Sequence, residues 1–134
     1  MSIRNLLTGL ALSAALAGPC YAAAALNEPL AGDPEHGHQI YKQICSLCHS
    51  DKKGVIVIGP PLYGAYGRHA ASYPGFHYSD ALKTQAQWVW DVPHLLIWEA
   101  GARKMVPGTK MSFPGLKNPK DRNDIIAYLQ TLHD

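Results

Sequence analysis

Cys45-Ser46-Leu47-Cys48-His49 decides how the rest of this chain is read. Two thiols three positions apart, with a histidine directly after the second, are what covalent attachment of a haem requires. Each cysteine can add to one vinyl group of the porphyrin, and the next residue presents its imidazole to the iron. A zinc site on the same thiols would need two further Cys or His ligands at compatible spacing. The one other cysteine, Cys20, lies in a segment expected to be removed. A thioredoxin-type dithiol sits near a βαβ pattern, and none is visible here. The motif is therefore read as the attachment site of one covalent haem c, with His49 as an iron ligand.

Upstream of the motif, residues 1–24 read as a secretory signal. Arg4 supplies a positive start, Leu6 to Ala17 is an apolar run, and small residues follow around Ala22–Ala25. The run is too short to span a bilayer comfortably, so no stable membrane insertion is expected. Cys20 raises a lipoprotein alternative, but Pro19 directly before it is unfavourable for lipid attachment. Residues 25–134 then form a single domain of about 110 residues, enough for one core. Losing the leader removes one arginine, leaving eleven basic residues against ten acidic. That near balance argues against a nucleic-acid partner, which would need a basic face. The two remaining cysteines are both in the motif, so no structural disulfide is available.

Asp33-Pro34 is a helix start, with Asp33 as cap and Pro34 at the first helical position. Ile40, Tyr41 and Ile44 recur at helical spacing, predicting a helix from Pro34 to about Cys45 or Cys48. Gly37 inside it is either merely tolerated or a place where another helix crosses closely. Val55-Ile56-Val57-Ile58 alone would suggest a buried strand, but Gly59-Pro60-Pro61 ends it at once. With no second strand to pair with, an extended loop lying against the haem is expected. From Leu62 to Leu82 no period persists, apart from a helical turn near Ser79–Thr84. A loop this long needs packing from elsewhere, which a bound prosthetic group can supply. Asp91 and Pro93 open another helix that ends at Gly101. The Pro-Gly pairs at 107–108 and 114–115 exclude regular helix there. Asn118-Pro119 repeats the start signal, and Ile125, Ile126, Tyr128, Leu129 and Leu132 make an apolar stripe with Arg122, Asp124 and Gln130 outside it.

A second axial ligand opposite His49 could be a histidine or a methionine, and a methionine thioether favours ferrous iron. Candidates are Met105, Met111, His36, His38, His69, His77, His94 and His133. Most of these histidines lie in polar or turn sequence and read as solvated imidazoles. Met105 sits near a helix end and reads as core filler. Met111 lies in a non-helical loop able to wrap across the ring.

Pro107-Gly108-Thr109-Lys110-Met111-Ser112-Phe113-Pro114-Gly115-Leu116 resembles the axial-methionine loop of class I c-type cytochromes of the mitochondrial cytochrome c and bacterial cytochrome c2 type. The resemblance covers nearly all of the chain after the leader. Residues 32–41 resemble the family's N-terminal helix and Gly59 to Gly64 its haem-flanking loop. Tyr73 to Ala81 resembles the segment covering the propionates, and Asp121 to Leu129 the C-terminal helix. The resemblance implies an all-α fold in which the terminal helices cross and loops wrap one haem. It implies Met111 as sixth ligand, beside His49, and Pro60 as the carbonyl that fixes the His49 tautomer. It also implies that Arg68 and Tyr78 contact a propionate. A one-residue slip between Leu82 and Arg103 leaves Trp88 and Trp90 competing for the propionate-binding tryptophan, and Trp90 is preferred. Gly37 and Tyr41 fall on the N-helix contact, Ile125 and Tyr128 on the C-helix contact.

Two departures stand out. Leu82 replaces the polar residue that usually follows Asp-Ala. The family's carriers often ring the haem edge with lysines, whereas here Ile44 and Val55 to Ile58 lie nearby, with Lys52, Lys53, Lys104 and Lys110 keeping some charge. The docking face is therefore expected to be more apolar, unless the four-residue run is simply packed under its loop. The expected function is a monomeric periplasmic one-electron carrier and not an enzyme. It would pass electrons between redox proteins such as a dehydrogenase, a cytochrome bc1-type complex or a terminal oxidase. Its rivals are a haem sensor or peroxidase with a labile Met111, and a dedicated cytochrome subunit of a dehydrogenase or oxidase.

Overall fold

The structure, a computed structural model, describes residues 31–134; the expected leader and the fate of Cys20 lie outside the described residues. Three principal helices form where capping residues meet proline. In α1 (Pro34–Gln43), the Asp33 carboxylate accepts from the Glu35 and His36 amides. After it, Cys45–Leu47 make one 3₁₀ turn. The four-residue α2 (Asp80–Lys83) follows, then α3 (Val92–Ala100), capped by Asp91 on the His94 amide. A short α4 (Ala102–Met105) leads to α5 (Pro119–Thr131), which Asn118 caps. Each cap satisfies amides that the first turn leaves without partners. No strand occurs among the described residues, where the nearest approach is an isolated bridge between His69 and Val89. None of the described helices is long and apolar enough to cross a membrane.

The fold is organised by the crossing of α1 and α5. A Cβ placed on Gly37 would lie 2.0 Å from the Asp124 carbonyl oxygen and 2.8 Å from the Tyr128 Cβ. Glycine is thus required by the close approach, which decides between the two readings of that residue. Around the crossing, Ile40, Tyr41, Leu95, Leu116, Ile125, Ile126, Tyr128 and Leu129 form the main core. Full burial of each large side chain contributes roughly 1.5–3 kcal/mol. A second cluster, Leu82, Trp98, Ala102 and Val106, gathers Trp88, Trp90, Tyr78, Met105 and Met111 around it.

Two details differ from the sequence reading, and one expectation is met. α1 ends at Gln43 and tightens into the 3₁₀ turn, so the two cysteines lie past the helix and not within it. Asp124 is 1% exposed instead of facing solvent. Its carboxylate accepts from the Asp33 amide at 2.8 Å, from His36 Nδ1 at 2.7 Å and from Lys120 Nζ, which is why a charge is tolerated there. The run Val55 to Ile58 makes no strand, in line with the loop expected from sequence, and it is exposed and not packed under its loop, Ile58 being 72% exposed.

Candidate functional site

The site is built outward from the 3₁₀ turn. His49 and Cys48 both bond back to the Cys45 carbonyl, through their amides at 2.9 and 3.1 Å. This compact geometry keeps the two thiols and the imidazole on one short stretch. Among the described residues both cysteines are free, Cys45 partly buried and Cys48 exposed. Burial, then the nearby Glu99 and Cys48 charges, push the Cys45 thiol up to about 12.

His49 is oriented by three features. Its Nδ1 lies 2.7 Å from the Pro60 carbonyl oxygen. A carbonyl can only accept, so Nδ1 carries the proton and Nε2 keeps its lone pair. Burial lowers the imidazole's proton affinity, against the Pro60 bond that raises it, and so favours the neutral ring a metal needs. Gly59 lies against the ring face: a Cβ there would sit 2.3 Å from Cε1 and 2.6 Å from Nδ1. The Ile58 and Gly59 amides both bond to the Cys48 carbonyl, at 3.1 and 2.7 Å, fixing this loop to the motif.

A second set of groups holds the motif from behind, and sequence reasoning missed how they cooperate. Tyr41 Oη donates to the His49 carbonyl at 3.1 Å and accepts from the Asp51 amide at 2.9 Å. Tyr128 Oη donates to the Asp51 carboxylate at 3.0 Å. Burial, followed by the Asp51 bond, raises the Tyr128 phenol well above its ordinary value. By local sequence Asp51 belongs to a polar turn after the motif; its neighbours in space, Tyr41 and Tyr128, come from α1 and α5, which local sequence does not reveal.

Further along, Arg68 is half-buried, with long contacts from its terminal nitrogens to the Tyr63 and Pro61 carbonyls at 3.4 and 3.3 Å. Its Nε is buried and has no partner. Burial pushes the guanidinium below its usual value, with Tyr78 and Tyr73 opposing. Tyr78 Oη accepts from the Tyr73 amide at 3.3 Å. Trp90 pairs with Arg68 through its amide and the Arg68 carbonyl, at 2.9 Å, and its ring lies 5.0 Å from that of Trp98. Trp88 instead stacks on His94 at 5.2 Å. So Arg68, Tyr78 and Trp90 come together beside the second cluster, which also contains Met111.

Both Met105 and Met111 pack there, Met105 as the last residue of α4 and Met111 in irregular chain. Of the histidines, His69, His77 and His133 are exposed as read. The solvated reading fails for three others. His36 binds Asp124, His94 binds Asp91 at 2.6 Å, and His38 stacks 4.9 Å from the Tyr128 ring. A cleft of about 530 Å³ lined by Lys53, Tyr63, Arg68 and Asp134 does not include the Cys45–His49 residues, and Arg68 is the residue it shares with the group around Tyr78 and Trp90.

These residues fit a covalently held haem on the grounds of their own chemistry. Two thiols and a neutral, pre-oriented imidazole stand together, Gly59 leaves room for the ring, and a buried guanidinium nitrogen lacks an acceptor that a propionate would provide. The sequence model of the family described as Cytochrome c matches residues 34–133. A cytochrome c2 of Rhodopila globiformis is 48% identical over 102 residues, covering 75% of this chain and 94% of its own length. A cytochrome c of Euglena viridis is also 48% identical, over 103 residues, 77% of this chain and all of its own. The solved structure of cytochrome cH from Methylobacterium extorquens aligns with a TM-score of 0.68 at 42% identity, covering 75% of this chain and 99% of that one.

Proposed function

We propose that this chain, which belongs to the cytochrome c family, is an exported one-electron carrier of the periplasm whose single haem c is ligated by His49 and Met111. The family's electron-carrier role and its one covalent haem c are this chain's as well. The residue assignments are our reading. Cys45 and Cys48 hold the porphyrin through thioethers, and the bound iron supplies reversible one-electron chemistry. The observation that carries the reading is the His49–Pro60 bond, which presents Nε2 of a buried neutral imidazole directly after the second thiol. Such an outer bond fixes a ligand's tautomer and raises its basicity.

The remaining residues hold charge and exclude water. Arg68 Nε, with Tyr78 and Trp90 beside it, receives a propionate, since a buried donor left alone costs roughly 1–3 kcal/mol. Met111, packed among Leu82, Trp98 and Val106, offers a thioether in an apolar setting. Electron donors and acceptors, redox proteins of the dehydrogenase, bc1-type or terminal-oxidase kind, dock over the exposed strip of Ile44, Leu47, Val55, Ile56, Val57 and Ile58. That strip is tied to the motif by the Ile58 and Gly59 amides. Because its centre is apolar, association changes little with ionic strength; a steep salt dependence of electron transfer sinks this docking mode.

An absorption spectrum of the oxidised and reduced protein, with and without Met111→Ala, tests the ligation. The expected result is a weak far-red sulfur-to-ferric-iron band that vanishes in the variant. A wild type without that band, binding carbon monoxide when ferrous, means an open site and overturns the carrier reading in favour of sensing or peroxide chemistry.

A further inference from the structure

Glu99 is a buried carboxyl that nothing above employs. It lies in the last turn of α3, 7% exposed, and among the described residues no side-chain hydrogen bond or ion pair reaches its carboxyl. One turn earlier, Leu95 packs in the core that Cys45 also touches. The residue before it, Trp98, packs in the cluster that contains Met111. Its backbone carbonyl accepts from the Leu116 amide at 2.7 Å, tying α3 to the end of the Met111 loop. Glu99 therefore lies one helical turn from Leu95, on the part of α3 that faces the core Cys45 touches. The Cys45 thiol senses its charge directly.

A carboxylate in such a place is stable only if it is neutralised or paired. The charged groups named here on the elements packed against α3 are engaged elsewhere or exposed. On α5, Asp124 is bound by His36 and Lys120, and the Arg122 guanidinium donates to the Leu116 and Lys117 carbonyls. On α4, Arg103 and Lys104 are exposed, and at the start of α3 Asp91 pairs with His94. Cys45 is an ionisable neighbour of Glu99, and attachment of the porphyrin turns that thiol into a neutral thioether. Burial alone pushes the Glu99 carboxyl up to about 7. Its proton is then exchangeable near neutrality, where the electrostatic change of one nearby electron decides whether it is held.

We propose that Glu99 is a redox-linked proton site, so that the protein carries a proton together with its electron. This deepens the carrier reading and rests on it. When an electron arrives from the redox donor, a Glu99 carboxylate oxygen takes one proton from water, forming the O–H bond, and the added negative and positive charges cancel. When the electron passes to the acceptor, the O–H bond breaks and the proton returns to water. The reduction potential consequently falls with rising pH between the proton affinities of the oxidised and reduced forms, and is level on either side. The limiting slope is one proton per electron, about 59 mV for each tenfold change in proton concentration.

Spectroelectrochemical titration of the haem-bound protein from about pH 5 to about pH 9, with Glu99→Gln and Glu99→Leu alongside, tests this. The expected result is a sloping potential in the wild type and a level one in both variants. Reduced-minus-oxidised infrared spectra should show a protonated-carboxyl band gained on reduction in the wild type and missing in Glu99→Gln. A wild-type potential that does not change with pH overturns the proposal, and so does a slope that persists in either variant. Should neither variant mature, the wild-type infrared spectrum decides alone, and absence of the carboxyl band overturns it. Failure of the carrier reading is distinguishable, because it shows as loss of the far-red methionine band, whereas a level potential with that band intact removes only the Glu99 assignment.

Discussion

The α1–α5 corner and the chain that wraps from Ser50 to Leu116 are stabilised in opposite ways. At the corner, capped helices cross through a glycine, and every charge in the contact is matched: Asp124 is bound by the Asp33 amide, His36 and Lys120. The wrap has only short helices and α3, and its long segment from Ser50 to Ser79 is held by scattered backbone bonds such as Leu62 to Ser50, Gly64 to Leu132 and Ala70 to Trp88. It also contains Arg68 Nε, buried without a partner among the described residues, and the Glu99 carboxyl, which burial raises. One part is complete in protein atoms. The other is shaped for something that is not protein.

Two glycines allow the sharpest break between these regions. Gly37→Ala puts a methyl group 2.0 Å from the Asp124 carbonyl oxygen, so the helices must separate along their whole contact. We expect a loss of about 3 kcal/mol in urea unfolding, at the upper end of overpacking effects because the obstacle is backbone. Gly59→Ala puts a methyl 2.3 Å from His49 Cε1, where the ring can turn at the expense of its bond to Pro60. Here the expected change is spectral: a shifted haem absorption and a lower potential, with α1 and α5 amide exchange close to wild type. Equal global destabilisation by both would mean that the regions are not separable.

That division also explains what the amino-acid sequence reveals. Caps, prolines and the apolar stripe encode α1, α3 and α5 locally, so Asp33, Asp91 and Asn118 locate those helices within a residue or two. The Cys45–His49 string carries its chemistry in its own spacing. Pro60, Arg68, Tyr78 and Trp90 come through resemblance, because their meaning lies in partners distant along the chain. One feature was hidden for a physical reason. Asp124 reads as a surface charge by helical period, and its burial becomes tolerable through the Asp33 amide and His36, which arrive from α1 and the residue before it, together with Lys120. Val55 to Ile58 is strand-like by composition, but Gly59-Pro60-Pro61 and the lack of a partner strand already point to a loop, and the run is an exposed loop.

Acid provides a milder probe of the corner. Burial acting alone would raise the Asp124 carboxyl, but the Asp33 amide, Lys120 and His36 outweigh it and hold it at about 2, below the ordinary 3.8. A depressed carboxyl stabilises the fold above its unfolded value, and that contribution is lost as pH falls from 3.8 through about 2. The shift corresponds to about 2 kcal/mol. Asp124→Asn should lower stability at neutral pH by a similar amount, about 2 kcal/mol, and flatten this acid limb in urea titrations. An unchanged limb would assign acid sensitivity to the wrap instead.

Arg68→Met tests the wrap with the smallest expected effect. The substitution keeps an apolar stem while removing the charge and the Nε donor that no protein atom accepts. Were Arg68 only a packing residue, the loss would be near zero, because the side chain's protein contacts are long and its guanidinium is disfavoured by burial. If it receives a propionate, the haem-bound variant leaves that carboxylate poorly compensated and loses about 1–2 kcal/mol, within the range for a hydrogen bond to a charged group. Hydrogen exchange then locates the loss. Amides from Arg68 to Tyr78, and the Trp90 amide bonded to the Arg68 carbonyl, should exchange faster, while those of α1 and α5 stay protected. Faster exchange in α5 instead would show that the two regions share one cooperative unit, and that the contrast between them is one of composition and not of stability.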